Sequence, residues 1–363
     1  MRQAPEDFAA LGLSPDTIAV SEDAMRSKHP VDRQGAWEWW YVDCELEDGN
    51  SIAMVYKNAD NIYPIGLAPQ VEISFAMKDG TSSFDYVPFR AGQLRQSREK
   101  CDLHIGKAYF TGDLETYRIH FEGRNDDDVL IVIDLEMEST CEPWRPATGQ
   151  FVGDPSQSVD GDPPSFNWFC ALPGARVKAK YRIGDQSYES EGTGYHDHNW
   201  GNVPMQAVVE QWYWGHGNVG PYTVVAYPIQ QRRDLGGTWS NVFMLARDGK
   251  VIVDDISKVT FEMIGEQTVP DSDLKLPQTL KFTYEDGDTR YVSNWEAYQP
   301  TQLVSSDSHT PMGDLDKFGR YEMHYTRFVC RMSVEKFEKD VPVEKHEVES
   351  AIWEYMQFGN WTG

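Results

Sequence analysis

The sequence predicts an all-β protein whose antiparallel strands form a sandwich or barrels. Short segments in which apolar and polar residues alternate recur along the chain, and they are rich in aromatic and β-branched residues. Asp-Gly turn signals, typical of tight hairpins, separate many of these segments. Examples lie at residues 47–50, 78–80, 247–250 and 285–288. Many short strands joined by such turns are typical of sandwiches and barrels.

The alternating segments follow one another through the whole chain. Strands are predicted, in chain order, at residues 37–42, 71–75, 117–121, 129–135, 176–181, 208–214, 223–227, 242–245, 259–263, 280–284 and 321–332. Helices are few. A short one is predicted at residues 5–11, whereas residues 343–356 fit either a helical face or a strand, with a closing strand favoured for their end. Long loops, of the kind that often line a site, are predicted at residues 143–165 and 299–319.

Composition limits the possible partners of the chain. Its 363 residues, enough for one large or two medium domains, include 33 Lys and Arg against 58 Asp and Glu, a formal net charge of −25. Nucleic acid and anionic membrane surfaces would be repelled and are not expected as partners. No apolar run approaches the roughly 18 residues that a membrane helix needs, and the first residues lack signal-peptide features. A cytoplasmic location without membrane insertion is expected.

The cysteines and several missing motifs narrow the chemistry. Five single cysteines, an odd number without a Cys-x-x-Cys pair, predict free buried thiols rather than a disulfide framework or zinc knuckle. The sequence has no nucleophile elbow, no phosphate-binding loop and no dinucleotide fingerprint. Covalent acyl transfer and nucleotide cofactors are therefore poorly supported, and chemistry without a cofactor is expected.

The most distinctive run is residues 194–201, Gly-Tyr-His-Asp-His-Asn-Trp-Gly. In an extended strand, alternate side chains lie on opposite faces of the sheet. One face then carries His196, His198 and Trp200, and the other carries Tyr195, Asp197 and Asn199. One pocket cannot receive all the polar side chains unless the strand bulges or bends, and Gly194 and Gly201 could supply a bulge.

Three interpretations of this run remain open. An Asp kept protonated by apolar neighbours could donate a proton to a carbon-carbon double bond or a carbonyl, and a His could accept one. Alternatively, the same side chains satisfy buried polar groups where two barrels meet. In the third, His196 and His198 bind zinc or iron with Glu210 or His216 as a further ligand. The chain lacks the Glu that follows His-x-His in cupin sites, so no metal is expected.

A second cluster occupies residues 210–216, Glu-Gln-Trp-Tyr-Trp-Gly-His. Glu210, Trp212, Trp214 and His216 share one face of an extended strand. Indoles are usually core, but a core strand seldom places Glu and His beside two Trp, because each buried polar group needs a partner. The pattern favours an aromatic cavity wall with polar groups placed for an elongated ligand.

A third cluster, residues 37–43 (Trp-Glu-Trp-Trp-Tyr-Val-Asp), predicts the first strand of a barrel. A Trp commonly plugs one end of a small barrel, so packing is the favoured role for most of this cluster. Trp39 is a candidate substrate contact, and Glu38 is a possible pocket carboxylate.

These runs together resemble the lipocalin-like hydratase family, which includes carotenoid 1,2-hydratase, kievitone hydratase and the AttH proteins. Fungal Diels-Alderases that build decalins are more distant relatives. The resemblance rests on residues 37–43, 166–169, 172–175, 192–201 and 212–215, which occur in that order. It implies two tandem lipocalin-like antiparallel β-barrels with few short helices, here residues 1–200 and 201–363. It also implies a hydrophobic small-molecule substrate and chemistry without a redox cofactor.

The resemblance also implies roles for individual residues. Asp197 is the candidate general acid, and His196 or His198 orients it or acts as a base. The expected wall consists of Trp200, Trp212 and Trp214. Glu210 is a catalytic candidate and His216 a substrate-binding candidate because they share a strand face with Trp212 and Trp214. Tyr195 is, like Trp39, a candidate substrate contact. Hydration or protonation-initiated cyclisation of an isoprenoid or polyene, a pericyclic reaction, and a non-catalytic carrier remain alternative functions.

Overall fold

The prediction of an all-β fold is confirmed. The computed structural model describes residues 1–28, 35–59, 69–125, 127–269, 274–306 and 323–358. These residues form two compact units, of which unit 1 ends at Val208 and unit 2 begins at Val209. Each unit is built on one curled antiparallel sheet. No helix among the described residues is both long and apolar enough to cross a membrane.

Unit 1 begins with the predicted short helix, α1 (Pro5–Leu11). Its strands are β1 (Trp37–Leu46), β2 (Ser51–Ala59), β3 (Gln70–Ala76), β4 (Ser82–Pro88), β5 (Leu94–Gln96), β6 (Asp102–Ile105), β7 (Ala108–Gly112), β8 (Thr116–Arg124), β9 (Leu130–Ser139), β10 (Gln150–Val152), β11 (Ser165–Ile183) and β12 (Gln186–Gly201). Single 3₁₀ turns occur at Val20–Asp23, Ala91–Gln93, Pro155–Gln157 and Met205–Ala207. The sheet order is β4-β3-β2-β1-β12-β11-β9-β8-β7-β6-β5, and β10 pairs with β11.

Unit 2 is also built on one main antiparallel sheet. The strands of unit 2 are β13 (Val209–Val219), β14 (Tyr222–Gln231), β15 (Trp239–Arg247), β16 (Lys250–Val253), β17 (Val259–Ile264), β18 (Gln267–Thr268), β19 (Lys275–Leu276), β20 (Thr279–Asp286), β21 (Thr289–Ser306), β22 (Met323–Glu338) and β23 (Val341–Phe358). The 3₁₀ turns are Arg233–Leu235 and Ile256–Lys258. The main sheet has the order β16-β15-β14-β13-β23-β22-β21-β20-β17, and β18 pairs with β19.

The closing segment and the two predicted loops have defined structure in their described parts. Strand β23 confirms the closing strand and shows that the helical alternative for residues 343–356 was wrong. The loop predicted at residues 143–165 contains one short strand, β10. Of the loop predicted at residues 299–319, the described part belongs to β21, so that part of the prediction was wrong, and residues 307–319 lie outside the described residues.

The Asp-Gly turns work as the sequence suggested. Between β1 and β2, Gly49 has a φ of 88°, a left-handed conformation that glycine adopts without steric cost. The Asp48 carboxylate accepts the backbone N–H of Asn50 at 3.0 Å and thereby closes the turn.

The concave side of each sheet is apolar. In unit 1 the alternate residues of β1, among them Trp40, Val42 and Cys44, belong to one buried cluster with Phe110 of β7 and Tyr117 of β8. In unit 2 the core contains Tyr213, Phe282, Trp295, Phe328 and Trp353. On the opposite faces of β1 and β12, Tyr195, Asp197 and Asn199 are buried, whereas Trp39 and Tyr41 are half-buried, so polar and aromatic side chains lie together there.

Candidate active site

The distinctive run lies on β12, between β1 and β11. Its pairing with β1 is unbroken from Trp37 opposite Gly201 to Leu46 opposite Gly192. Alternate side chains therefore point to opposite faces, as predicted. His196 and His198 point into the apolar interior of unit 1, whereas Asp197 lies on the outer face of the sheet.

Gly194 and Gly201 do not bend β12, so the hypothesis of a bulge in this strand was wrong. They allow close approach instead. A Cβ at Gly201 would lie 2.6 Å from Nε1 of Trp37, and one at Gly194 would lie 2.8 Å from the carbonyl oxygen of Asp43. The extra residues of the sheet are in β11, where the pairing with β12 shifts on either side of Leu172.

On the interior side, four ionisable groups meet in what we call the inner cluster: Asp23, Glu38, His196 and His198. Nε2 of His196 lies 3.1 Å from Oδ2 of Asp23, and Nε2 of His198 lies 2.9 Å from Oε1 of Glu38. Nδ1 of His198 is 3.6 Å from the other Asp23 oxygen, so Asp23 joins the two histidines. All four side chains are at most 1% exposed.

The geometry identifies His196 and Asp23 as a buried ion pair. Nδ1 of His196 donates to the Tyr41 carbonyl at 2.7 Å, so a hydrogen bond from Nε2 to Asp23 requires the doubly protonated ring. Burial lowers the pKa of His196, but the charge of Asp23 and its hydrogen bond more than offset this and raise the pKa above its usual value. For Asp23 burial acts in the other direction and raises the pKa. The charge of His196 and the hydrogen bonds from His196 and the Tyr117 hydroxyl outweigh burial and lower the pKa of Asp23 below its usual value.

On the outer face, Asp197 is the centre of a second group of polar residues, the outer cluster, formed with Trp168, Tyr195 and Asn199. Its Oδ2 accepts Nε1–H of Trp168 at 2.8 Å and the Tyr195 hydroxyl at 2.9 Å, and its Oδ1 accepts the Asn199 amide at 2.7 Å. The Asp197 residue is 4% exposed. Burial raises its pKa to about 6, and the three donors limit the rise.

Aromatic side chains continue this outer face along β1. The Tyr41 ring centroid lies 6.2 Å from that of Tyr195, and the Tyr41 hydroxyl donates to Asp43 at 2.6 Å. Trp39 stacks on Trp37 with centroids 4.2 Å apart. A carboxyl group that can carry a proton near neutral pH is therefore set among aromatic rings.

Asp197 should make the stability of the fold depend on pH. Its pKa in the folded state is raised to about 6, so the folded protein binds the proton more tightly than the unfolded chain. The stabilisation from the protonated form is complete below the ordinary Asp value and is lost as the pH rises through about 6. Between about pH 4 and pH 7, Asp197→Asn should therefore gain about 3 kcal/mol relative to the wild type. Urea unfolding of both proteins across this range measures the difference, and a difference that does not change with pH would contradict the raised pKa.

The comparisons with known proteins agree with this architecture. A family model described as Diels-Alderase-like matches residues 14–263. The chain belongs to the Diels-Alderase-like family. The family resemblance inferred from the sequence is thereby confirmed.

Curated relatives of this Diels-Alderase-like protein match more than half of the chain. It is 24% identical to the quinolone epoxide rearrangement protein asqO of Emericella nidulans over 54% of this chain and 54% of that protein. It is 22% identical to acyclic carotenoid 1,2-hydratase of Rubrivivax gelatinosus over 71% of this chain and 61% of that protein. The chain thus spans little more than half the length of these relatives.

Solved structures show the same fold. Over 90% of this chain and 89% of the other, CghA matches with a TM-score of 0.60 and 14% identity. Kievitone hydratase from Nectria haematococca matches over 96% and 97% of the two chains, with a TM-score of 0.55 and 12% identity. The lipocalin-like class predicted for the two sheets of the Diels-Alderase-like protein is confirmed.

Two roles predicted for the run on β12 need correction. His196 and His198 do not orient Asp197, because strand alternation places them on the opposite face of the sheet, where they bind Asp23 and Glu38. The groups that orient Asp197 are Trp168, Tyr195 and Asn199. Trp200 lies on the same side as the histidines, with its ring centroid 4.8 Å from that of His198, and so is not part of a wall around Asp197.

In unit 2, β13 carries the second set of predicted residues. Trp212, Trp214 and His216 are 5 to 7% exposed and lie on the face opposite the core residue Tyr213. The Trp214 and His216 ring centroids are 5.3 Å apart. Nε1 of Trp212 donates to Glu354 at 3.4 Å. The predicted sharing of a face therefore holds for these aromatic residues, and a role in substrate binding stays a prediction.

Glu210, predicted as a catalytic group, forms an ion pair on unit 2. Its Oε1 lies 3.1 Å from Nε of Arg233, whose side chain is 64% exposed, and its Oε2 accepts the Arg233 backbone N–H at 3.2 Å. Exposed pairs of this kind contribute little, so Glu210→Gln should change the free energy of unfolding by at most about 1 kcal/mol. Urea unfolding beside Glu262→Gln, which breaks the pair with Lys281, provides the comparison. A loss of several kcal/mol for Glu210→Gln alone would show that Glu210 has a larger structural role.

Sequence reasoning missed several members of both clusters. Asp23 lies in a 3₁₀ turn far along the chain from β12, and Asn58, the residue before the last of β2, supports the inner cluster by donating to Glu38 at 3.0 Å. Neither belongs to a motif. Trp168 belongs to residues 166–169, one of the runs on which the family resemblance rests. Its pairing opposite Asn199 brings its indole to Asp197. Glu38 was predicted as a possible pocket carboxylate, and the structure shows that it binds His198 in the inner cluster.

One set of described residues could hold a metal ion. Ligand atoms of Asp23, Cys101 and His196 lie within 4.8 Å of one another. Burial raises the pKa of Cys101 well above its usual value, so the thiol keeps its proton. Asp23 and His196 already bind each other, which favours a structural ion pair over metal ligation at this place.

Proposed function

We propose that this chain is a cytoplasmic enzyme that acts on a lipophilic isoprenoid or polyene-type small molecule without a cofactor. The reaction is acid-base hydration, or cyclisation started by protonation, of a carbon-carbon double bond. The observation that carries the proposal is Asp197, a buried carboxyl group whose pKa is raised to about 6 and which is held by three donors among aromatic rings.

The raised pKa suits general-acid catalysis. A group whose pKa lies near the operating pH is protonated often enough to act and acidic enough to transfer the proton. Trp168, Tyr195 and Asn199 donate to both oxygens, so they fix the direction of the carboxyl group and stabilise the anion left behind.

In the proposed hydration, Asp197 both donates the proton and takes one back. Asp197 transfers its proton to one carbon of the double bond, and the π electrons form the new C–H bond. The positive charge on the other carbon is stabilised by aromatic faces such as those of Tyr41 and Trp39. Water then forms the C–O bond, and its surplus proton returns to the Asp197 carboxylate. In cyclisation, a second double bond of the substrate replaces water as the nucleophile. The carbocation formed on that second double bond then loses a proton to the Asp197 carboxylate, and its C–H electrons form the double bond of the product. We assign no step to Glu210, because its carboxylate pairs with Arg233.

The relatives support chemistry of this class. One is named as a hydratase of acyclic carotenoids and another as a quinolone epoxide rearrangement protein, and both names describe reactions that an acid can start. We propose a hydrophobic substrate for this chain because the name of the hydratase gives an acyclic carotenoid as its substrate. One fold hosts several reactions, so the choice depends on the chemistry of Asp197.

A pericyclic reaction is the second candidate, and the family match favours it specifically. In that reaction the enzyme holds a reactive conformer of the substrate, and a hydrogen-bond donor polarises its carbonyl group. Proton transfer is not needed. Protonated Asp197 would serve as that donor, and loss of its acidity would have a small effect.

Labelled water distinguishes these functions. The purified chain is first analysed by native mass spectrometry for a bound small molecule. It is then incubated in ¹⁸O water with an acyclic carotenoid, an epoxide-bearing quinolone and a linear polyene. The proposal predicts either a product with one labelled hydroxyl group or an isomeric product whose formation requires Asp197. Isomerisation that is equally fast in Asp197→Asn would favour the pericyclic reaction, and a ligand bound but recovered unchanged would indicate a carrier.

A further inference from the structure

Arg26 differs from two nearby cations of unit 1, Lys28 and Arg145. Among the residues that the structure describes, Lys28 pairs with Asp162 and Arg145 pairs with Glu22. The Arg26 guanidinium has no carboxylate within 4.0 Å in the same set, and it lies over the Trp200 ring, 5.7 Å from its centroid. Burial lowers the pKa of Arg26 below its usual value, which reflects the cost of removing this charge from water.

The inner cluster holds Arg26 in place. Its backbone N–H and that of Ser27 both donate to the Glu38 carboxylate, the second at 3.0 Å. Glu38 is itself fixed by His198 at 2.9 Å and by Asn58 at 3.0 Å. The segment that carries Arg26 is therefore tied to the sheet by buried hydrogen bonds, so the cationic side chain is positioned before any ligand binds.

Arg26 and Trp200 line a cavity of about 370 Å³ within unit 1. Leu11 and Phe169 add apolar surface, and Gln150 and Asn167 add amide groups. The cavity is large enough for a small molecule, and its lining combines apolar side chains with many polar and charged ones. It lies on the side of β12 that carries Trp200, opposite the face of Asp197, so it is distinct from the site of the proposed reaction.

We propose that this cavity binds a small molecule with a carboxylate head and an apolar body, with the carboxylate on Arg26 and the body against Trp200 and Phe169. A guanidinium offers two parallel N–H donors that match a carboxylate, and a bound carboxylate would form the close ion pair that Arg26 does not make with any described residue. One free guanidinium suits a monoanion. The neighbouring carboxylates Glu22 and Asp162 also line the cavity, and they would repel a dianionic phosphate more strongly than a carboxylate, which carries a single negative charge.

Decanoate and its neutral isostere decanamide test this proposal by isothermal titration calorimetry on the full chain. The wild type should bind decanoate at least about tenfold more tightly than decanamide, because only the acid can pair with Arg26. Arg26→Met keeps the apolar stem over Trp200 and removes the charge. It should lose at least about tenfold in decanoate affinity and bind the two probes alike.

Arg176→Met is the matched control, since Arg176 is an exposed arginine of β11 that pairs with Glu138. It should bind decanoate as the wild type does. Equal affinity of the wild type for the two probes overturns the proposal without any variant, so the test does not depend on Arg26→Met folding. Unchanged decanoate affinity in a folded Arg26→Met protein overturns it as well.

Discussion

Asp197→Asn should lower turnover of the substrate by about 100- to 10,000-fold, the usual contribution of a positioned general acid. The amide has nearly the same shape and cannot donate a proton as an acid. Its oxygen can still accept from Trp168 and Tyr195, and Asn199 can rotate its own amide to meet the new NH₂ group. Substrate affinity and the far-ultraviolet circular dichroism spectrum should therefore stay as in the wild type.

The acid mechanism also predicts how turnover depends on pH. Since Asp197 must be protonated to act, turnover should fall as the pH rises through about 6. Tyr195→Phe removes one donor to the carboxylate, so it should raise the pKa of Asp197 and move this fall to higher pH while keeping the acid. A loss of less than about tenfold in Asp197→Asn would contradict the acid mechanism and favour the pericyclic alternative.

Asp23→Asn should lower the free energy of unfolding by about 3–5 kcal/mol, the range for breaking a buried ion pair from one side. The replacement leaves the His196 imidazolium without its counter-charge in an interior that is closed to water. Because the folded state raises the pKa of His196, the stabilisation from the pair is complete below the ordinary His value of about 6.5. It is lost as the pH rises through the raised value, so the difference between wild type and Asp23→Asn should shrink there.

Urea unfolding at several pH values measures this effect, and Asp134→Asn is its matched control. Asp134 also binds a histidine, with Oδ1 2.8 Å from Nδ1 of His120, but its side chain is 51% exposed. That replacement should cost about 1 kcal/mol or less. Equal losses in the two variants would contradict the view that burial makes the Asp23–His196 pair important.

The sequence predicted most of what depends on strand alternation. Alternation alone separated Asp197 from His196 and His198, and it placed Trp212, Trp214 and His216 on one face of β13. The sequence also predicted the short helix α1 and the closing strand β23. These features depend on neighbouring residues of the chain, so local pattern was sufficient to find them.

What the sequence did not reveal depends on distant parts of the chain. Asp23 and Arg26 lie in a segment without regular strand pattern, and only the curled sheet brings them to His196 and Trp200. The histidines do not support Asp197, because they lie on the other face of β12, and one of the groups that does, Trp168, comes from β11. Burial of Lys57 against Glu72, both under 10% exposed, likewise depends on the pairing of β2 with β3.

The acid-base state of Asp197 is the central claim, and it can be measured without knowing the substrate. A ¹³C NMR titration of the side-chain carboxyl groups of the full chain, with the Asp197 signal assigned from its absence in Asp197→Asn, gives its pKa directly. We predict a value of about 6. A value at or below the ordinary Asp range of about 3.9 would mean that Asp197 carries almost no proton at neutral pH, and it would contradict the proposed function.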